Sequence, residues 1–300
     1  MDEQKDKRTV EWSFSFEKLG DQISDFVKSA TDKEQLELKH QQFKAALDGA
    51  ISAQVRIDLA VGEANITALS SESANLLEAD LTYVGEVELM VEGETEKVVR
   101  LRQKSEASDW VRGASGWFNN RQPLRWDVVL TPTIPLNLEV HSGAGRSNFD
   151  LSALKLTGLH VASGAGELVA KFPAGEYEAK ISGGVGRSAI QIPADAFVNL
   201  NLSSGAGEVN LDIAEGAALV ARISGGVGAC NVRVPAGAAV RLEARTGIGS
   251  INVGGLLQRV SGKGGDFWDK GGVWETANFE DAERQIVISF NGGVGAFTLR

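Results

Sequence analysis

The chain of 300 residues holds one cysteine, Cys230, so no disulfide can close within it. Histidine is nearly as scarce, with His40, His141 and His160 the whole set. No apolar run approaches the roughly 18 residues of a membrane helix, so no integral membrane segment is expected. The opening MDEQKDKRTV lacks the apolar stretch of a signal peptide. The default location is therefore cytoplasmic, with a peripheral place at the membrane left open. Positive charge is also short: 30 Lys and Arg against 40 Asp and Glu give a net charge of −10. Nucleic acid and anionic membranes reward basic patches, so neither is an expected main partner.

Catalytic signatures are missing too. GGVGRSAIQ, GGVGACNVR and GGVGAFTLR begin like a calcium-binding nonapeptide, but its sixth place needs Asp and here holds Ser188, Cys230 and Phe297. None of these glycine-rich phrases runs on to Lys-Ser/Thr or to the third Gly of a dinucleotide fingerprint, and each leads into a strand. His141 and His160 sit two residues out of register on adjacent repeats, so zinc would need an added ligand. The acids Asp150 and Asp212 fall three repeats apart, roughly 14 Å at sheet spacing. Paired glycosidase carboxylates stand about 5–9.5 Å apart. We assign no catalytic residue, no cofactor and no metal ligand, and expect no enzyme. A polysaccharide-active enzyme is the remote alternative.

What the chain has is one phrase that returns. It reads HSGAGRSNFDL, ASGAGELVAKF, SGGVGRSAIQI, SSGAGEVNLDI, SGGVGACNVRV, RTGIGSINV and NGGVGAFTLR. The corner glycines are Gly145, Gly166, Gly186, Gly207, Gly228, Gly249 and Gly295. The first six follow one another at 21, 20, 21, 21 and 21 residues, the mark of a stacked repeat. Counting from each corner glycine, position −5 is Val140, Val161, Ile181, Leu202, Ile223, Ala244 or Phe290, and positions +2, +4 and +6 are mostly apolar. This is the strand period, with one face buried. Phrases such as FPAG and VPAG end the second strand of each repeat, since Pro cannot continue a ladder.

The expected fold is mainly β: a single-stranded right-handed parallel β-helix of about 21 residues per coil, right-handed because parallel crossovers are. Outward rows alternate in sign, as in Arg146, Glu167, Arg187 and Glu208, which favours stacking. Asn210, Asn231 and Asn252 line up for an amide ladder.

Three parts are expected in order. Residues 1–50 form an arm: a strand carrying Val10, Trp12, Phe14 and Phe16, a helix with Leu19, Ile23, Phe26 and Val27, and a second helix. That second helix opens on a capping box of Thr31 and Glu34, carries Leu36, Phe43 and Leu47, and stops at Gly49. Residues 51–135 form a β-rich part in which VRIDLAVGEANITAL reads as a degenerate coil. Residues 136–300 form the regular β-helix with an insertion at 255–284. A polar loop at 104–124 carries Trp110, Trp117 and Phe118, and the insertion reads as a second loop carrying Trp268 and Trp274. These aromatics either contact a partner or ligand, or fold over the two ends of the stack.

Residues 126–172, WDVVLTPTIPLNLEVHSGAGRSNFDLSALKLTGLHVASGAGELVAKF, resemble the toast-rack domains of bacterial adhesin-like and LiaF-like cell-wall-active-antibiotic response proteins. The close, WETANFEDAERQIVISFNGGVGAFTLR, is similar to the end of such a domain. The resemblance covers about residues 51–300 and implies a non-enzymatic role near the cell envelope, in the LiaF-like branch the tuning of an envelope-stress response. This chain departs from that branch in having a charged arm where membrane helices would stand. The expected function is a scaffold or regulatory interaction module, with a protein partner or self-association through the arm or the β-helix ends. A ligand- or glycan-binding adhesin-like protein is the alternative.

Overall fold

The computed structural model describes residues 38–104, 124–255, 257–262 and 270–300. They hold fifteen strands in one sheet and no helix. In chain order these are β1 (Lys39–Ala46), β2 (Ser52–Ala68), β3 (Asn75–Tyr83), β4 (Glu86–Glu92), β5 (Glu96–Lys104), β6 (Arg125–Leu130), β7 (Pro135–Asp150), β8 (Lys155–Lys171), β9 (Gly175–Ile192), β10 (Ala196–Ile213), β11 (Ala218–Arg233), β12 (Ala239–Val253), β13 (Leu257–Ser261), β14 (Lys270–Thr276) and β15 (Gln285–Leu299).

Each repeat folds as one long strand. Strands β7 to β11 pair in parallel with their chain neighbours, yet β9 and β10 are joined only by residues 193–195. Parallel strands normally need a crossover of a dozen residues or more. The strand must therefore turn back on itself within its own length, and it does so at the glycine corner. Every corner lies in register: Gly62 beside Gly145, then Gly166, Gly186, Gly207, Gly228, Gly295 and Gly249. Gly62 puts β2 in the same glycine column, one coil before β7.

The core follows the repeat. Position −5 is buried in all seven copies, and Phe149, Leu168, Ile190, Val209, Leu211 and Phe297 fill positions +2 and +4. Each of the larger side chains in this set, Val, Leu, Ile or Phe, contributes about 1.5–3 kcal/mol of burial. Outward charges pair between coils as the sign alternation requires: Arg146 with Glu167 at 3.2 Å, Arg187 with Glu208 at 3.2 Å and Lys171 with Asp150 at 2.9 Å. All are exposed to solvent, so they fix register more than they stabilise.

At the N-terminal end the stack divides. Strand β5 covers residues 52–58 of β2 and β6 covers residues 63–68, both in parallel. Antiparallel partners follow, β4 on β5, β3 on β6 and β1 on β3.

Several expectations are corrected. Phe43 lies on β1, not on a second helix, and its strand pairs antiparallel with β3. Phe43 and Leu47 fit a helical spacing, but Ala45 and Phe43 also alternate toward the core, and a strand face offered by Leu77, Ala79 and Leu81 settles the choice. Pairing overrides a weak local propensity here. Gly49, with φ of 76°, makes the turn into β2. The strand at 10–16, the helix at 19–27, Thr31, Glu34 and Leu36 lie outside the described residues.

The insertion is not all loop: β13 and β14 form an antiparallel pair, and β14 lies along residues 241–246 of β12. The seventh repeat also does not follow the sixth. Strand β15 enters between β11 and β12, in parallel with both. The amide ladder is cut accordingly. Asn231 Nδ2 donates to Asn210 Oδ1 at 3.1 Å, but Thr298 stands between Asn231 and Asn252.

Candidate interaction surface

The surface that stands out is built by the corner itself. The chain there reads Gly-x-Gly, and both glycines are required by stacking. A Cβ on Gly207, at φ of 144°, would run into the backbone carbonyl of Gly186 on the coil before it. The next glycine outward, Gly205, faces the carbonyl of Gly184 in the same way. The residue between the two glycines has nowhere to go but out. In stacking order those residues are Ala144, Ala165, Val185, Ala206, Val227, Val294 and Ile248; the first coil differs, with Ala60 in place of the outer glycine and Val61 buried. Val185, Val227, Val294 and Ile248 are 63%, 58%, 46% and 45% exposed. Five neighbouring coils, from Val185 to Ile248, thus carry an aliphatic ridge about 19 Å long at sheet spacing. Bare peptide planes border it on both sides, so a flat partner can approach closely.

Beside the ridge, at positions −6 to −4, the same coils form a groove of about 470 Å³ whose floor is Leu202, Ile223 and Phe290 and whose walls are polar. It is lined by Lys180, Asn201, Arg222, Ser224, Arg245 and Asn291, among others. Arg245 is paired with Glu243 at 3.0 Å, and Arg222 donates to Asn199 Oδ1 at 3.3 Å. The groove is open to solvent and offers cations and hydroxyls above an apolar floor.

The aromatic candidates divide. Trp274 lies on β14, half-buried against the core, with the Arg259 guanidinium 5.3 Å from its ring centroid. Trp110, Trp117, Phe118 and Trp268 lie outside the described residues. Cys230 is buried at position +2, and burial pushes its thiol up to about 12. No helix among the described residues is long and apolar enough to cross a membrane.

A parallel stack of bent strands with glycine columns at one edge defines a repeat-built β class in which the outer columns face solvent. Within it, this chain belongs to the toast-rack family: residues 31–191 match the N-terminal domain of toast_rack, DUF2154. Among curated proteins none matches the chain. A crystal structure of a candidate cell adhesion protein from Clostridium sporogenes is 20% identical, with 88% of this chain and 99% of that one covered and a TM-score of 0.45. A candidate adhesin from Bacteroides fragilis is 10% identical, with 88% and 97% covered and a TM-score of 0.28. One from Parabacteroides merdae is also 10% identical, with 88% and 95% covered and a TM-score of 0.28.

Proposed function

We propose that the chain is a non-enzymatic interaction scaffold that self-associates through its glycine edge. The observation that carries this is the ridge of Val185, Ala206, Val227, Val294 and Ile248 on five successive coils. Aliphatic side chains held in a row in water favour a partner surface. A second copy is the occupant because the charges next to the ridge are of both signs. The Arg187–Glu208 pair stands one position beyond the corner glycines at one end of the ridge, and the row continues as Ala229, Ala296 and Ser250, so an inverted copy laid ridge on ridge brings no like charges together. The sheet ends fit less well. At one end β1 carries Lys39, His40 and Lys44, the kind of charged edge that discourages strand addition. The right-handed sense of the coil and a role in an envelope-stress response belong to this reading, supported by the resemblance to the LiaF-like branch.

The test is light scattering on the full chain across a wide concentration range, beside a variant with Val185→Ser, Val227→Ser and Val294→Ser. The expected result is a concentration-dependent dimer that the triple variant weakens at least tenfold. A full chain that stays monomeric throughout overturns the reading.

The groove favours a second reading, a glycan-binding surface. Lys180→Ala with Arg222→Ala is then expected to weaken binding of an acidic oligosaccharide. Trp110, Trp117, Phe118, Trp268 and Trp274 remain candidate contacts in that reading.

A further inference from the structure

The positions that line the groove continue along the stack to its N-terminal end, where their chemistry changes. At −6 and −4 the first coils carry Arg56 and Asp58 on β2, Glu139 and His141 on β7, and His160 on β8. Register places Asp58 beside His141, and Glu139 between Arg56 and His160. Glu139, His141 and His160 each offer one ligand atom, and the three atoms lie within 4.8 Å of one another. Glu139 Oε1 is 2.9 Å from His141 Nε2 and 3.6 Å from His160 Nδ1. Two donors bound to one tetrahedral zinc at its usual bond lengths stand about 3.3 Å apart. The observed separations bracket that value.

We infer that Glu139, His141 and His160 form a divalent transition-metal site, with zinc as the fitting ion. Three further features point to it. First, His141 Nε2 is buried and makes no hydrogen bond, although Glu139 Oε1 stands 2.9 Å away. Second, the other ring nitrogen, Nδ1, lies 3.2 Å from Asp58 Oδ1. A metal-bound imidazole commonly donates its second N–H to a carboxylate, which fixes the tautomer and turns the free lone pair to the metal. Third, the rings of His141 and His160 meet edge to face at 79° with centroids 5.6 Å apart, so they do not stack away from a shared ligand point. Two imidazoles and one carboxylate suit zinc and its neighbours rather than calcium or magnesium, which take oxygen. All three side chains are about one-third exposed, so the ion has access and a fourth position faces solvent.

Arg56 is the competing cation. Its guanidinium contacts Asp58 at 3.0 Å, Glu139 at 3.5 Å and His141 Nδ1 at 3.3 Å. A proton on Nδ1 directed to Asp58 excludes the last of these contacts, so metal binding shifts Arg56 away from the ring.

The experiment is competition between the full chain and a chromophoric zinc chelator, with cobalt(II) absorption as the reporter of coordination geometry. One zinc per chain is expected, with a tetrahedral cobalt spectrum. His141→Ala and His160→Ala should each weaken binding at least tenfold and abolish that spectrum. Asp58→Asn should weaken it 10- to 100-fold while the spectrum persists. Arg56→Met should tighten it. The chain has one other histidine, His40, on β1, so His40→Ala is the control and should change nothing. Circular dichroism confirms that each variant is folded. Absence of zinc binding at micromolar concentration overturns the site, as does binding that survives loss of both His141 and His160 or depends equally on His40.

Discussion

Gly207→Ala asks whether the glycine columns hold the stack. Gly207 sits in the middle coil at φ of 144°, a region that side chains other than hydrogen avoid at about 1–3 kcal/mol. The added methyl would also fall inside the backbone carbonyl of Gly186 on the preceding coil. That carbonyl belongs to a ladder running in register from residue 196 to residue 213, so it cannot swing aside alone. Relief requires the rung to open, at about 0.5–1.5 kcal/mol for each backbone hydrogen bond lost and more for the packing beneath. The sum is about 3–6 kcal/mol.

Gly237→Ala is the comparison in which a positive φ carries a cost without any contact between coils. Gly237 has φ of 85°, and a Cβ built there meets nothing within 4 Å. Its cost is the conformational penalty alone, about 1–2 kcal/mol. Urea unfolding followed by tryptophan fluorescence compares the two variants by their midpoints, since a stack whose coils touch only their neighbours need not unfold in one step. The Gly207→Ala midpoint should fall clearly below that of Gly237→Ala. Equal midpoints would refute the argument that contact between coils, rather than backbone conformation, makes these glycines necessary.

The inserted position of β15 can be read by cross-linking in a Cys230→Ala background. Asn231→Cys with Thr298→Cys should oxidise to a disulfide, because the two are Cα partners, whereas Asn231→Cys with Asn252→Cys should not, standing two strand spacings or about 9.6 Å apart. Cys230 itself makes stability depend on alkaline pH. Its thiol is held up to about 12 when folded against an ordinary 9.0, so the folded state keeps a proton that the unfolded state gives up. The wild-type urea midpoint should therefore fall, relative to Cys230→Ala, as pH rises above about 9, and parallel pH profiles would refute this.

The buried rows were legible because they repeat. Positions −5, +2, +4 and +6 hold apolar residues in coil after coil, and nothing local competes with that period. The ridge was not, for a reason inside the same pattern. Inward positions are odd before the corner and even after it, so alternation breaks at the Gly-x-Gly turn and cannot say which way Val227 or Ile248 points. Only the stacked carbonyls behind the glycines decide it. The metal-ligand cluster lay closer to the surface of the sequence. Glu139 and His160 are neighbours in the −6 row and His141 follows Glu139 by two residues. Histidines two positions out of register do not face each other directly, but both face Glu139, one from the same strand and one from the next.

The order of the last coils was hidden because seven similar strands could stack in many sequences of neighbours. Side-chain volume supplies a reason for the one observed. Phe290 and Phe297 pack together inside the stack with ring centroids 4.6 Å apart. At their two levels β12 offers Ala244 and Ile251, while β11 offers Ile223 and Cys230. Each phenylalanine therefore meets one small and one branched neighbour: Phe290 lies between Ile223 and Ala244, and Phe297 between Cys230 and Ile251. Large residues set across from small ones fill a core without strain. Placing β12 directly on β11 would bring Ala244 to Ile223 and Cys230 to Ile251 and leave both rings at the end of the stack. The small residues Cys230 and Ala244 thus make room for β15, and the last strand of the chain closes a space that its predecessors leave.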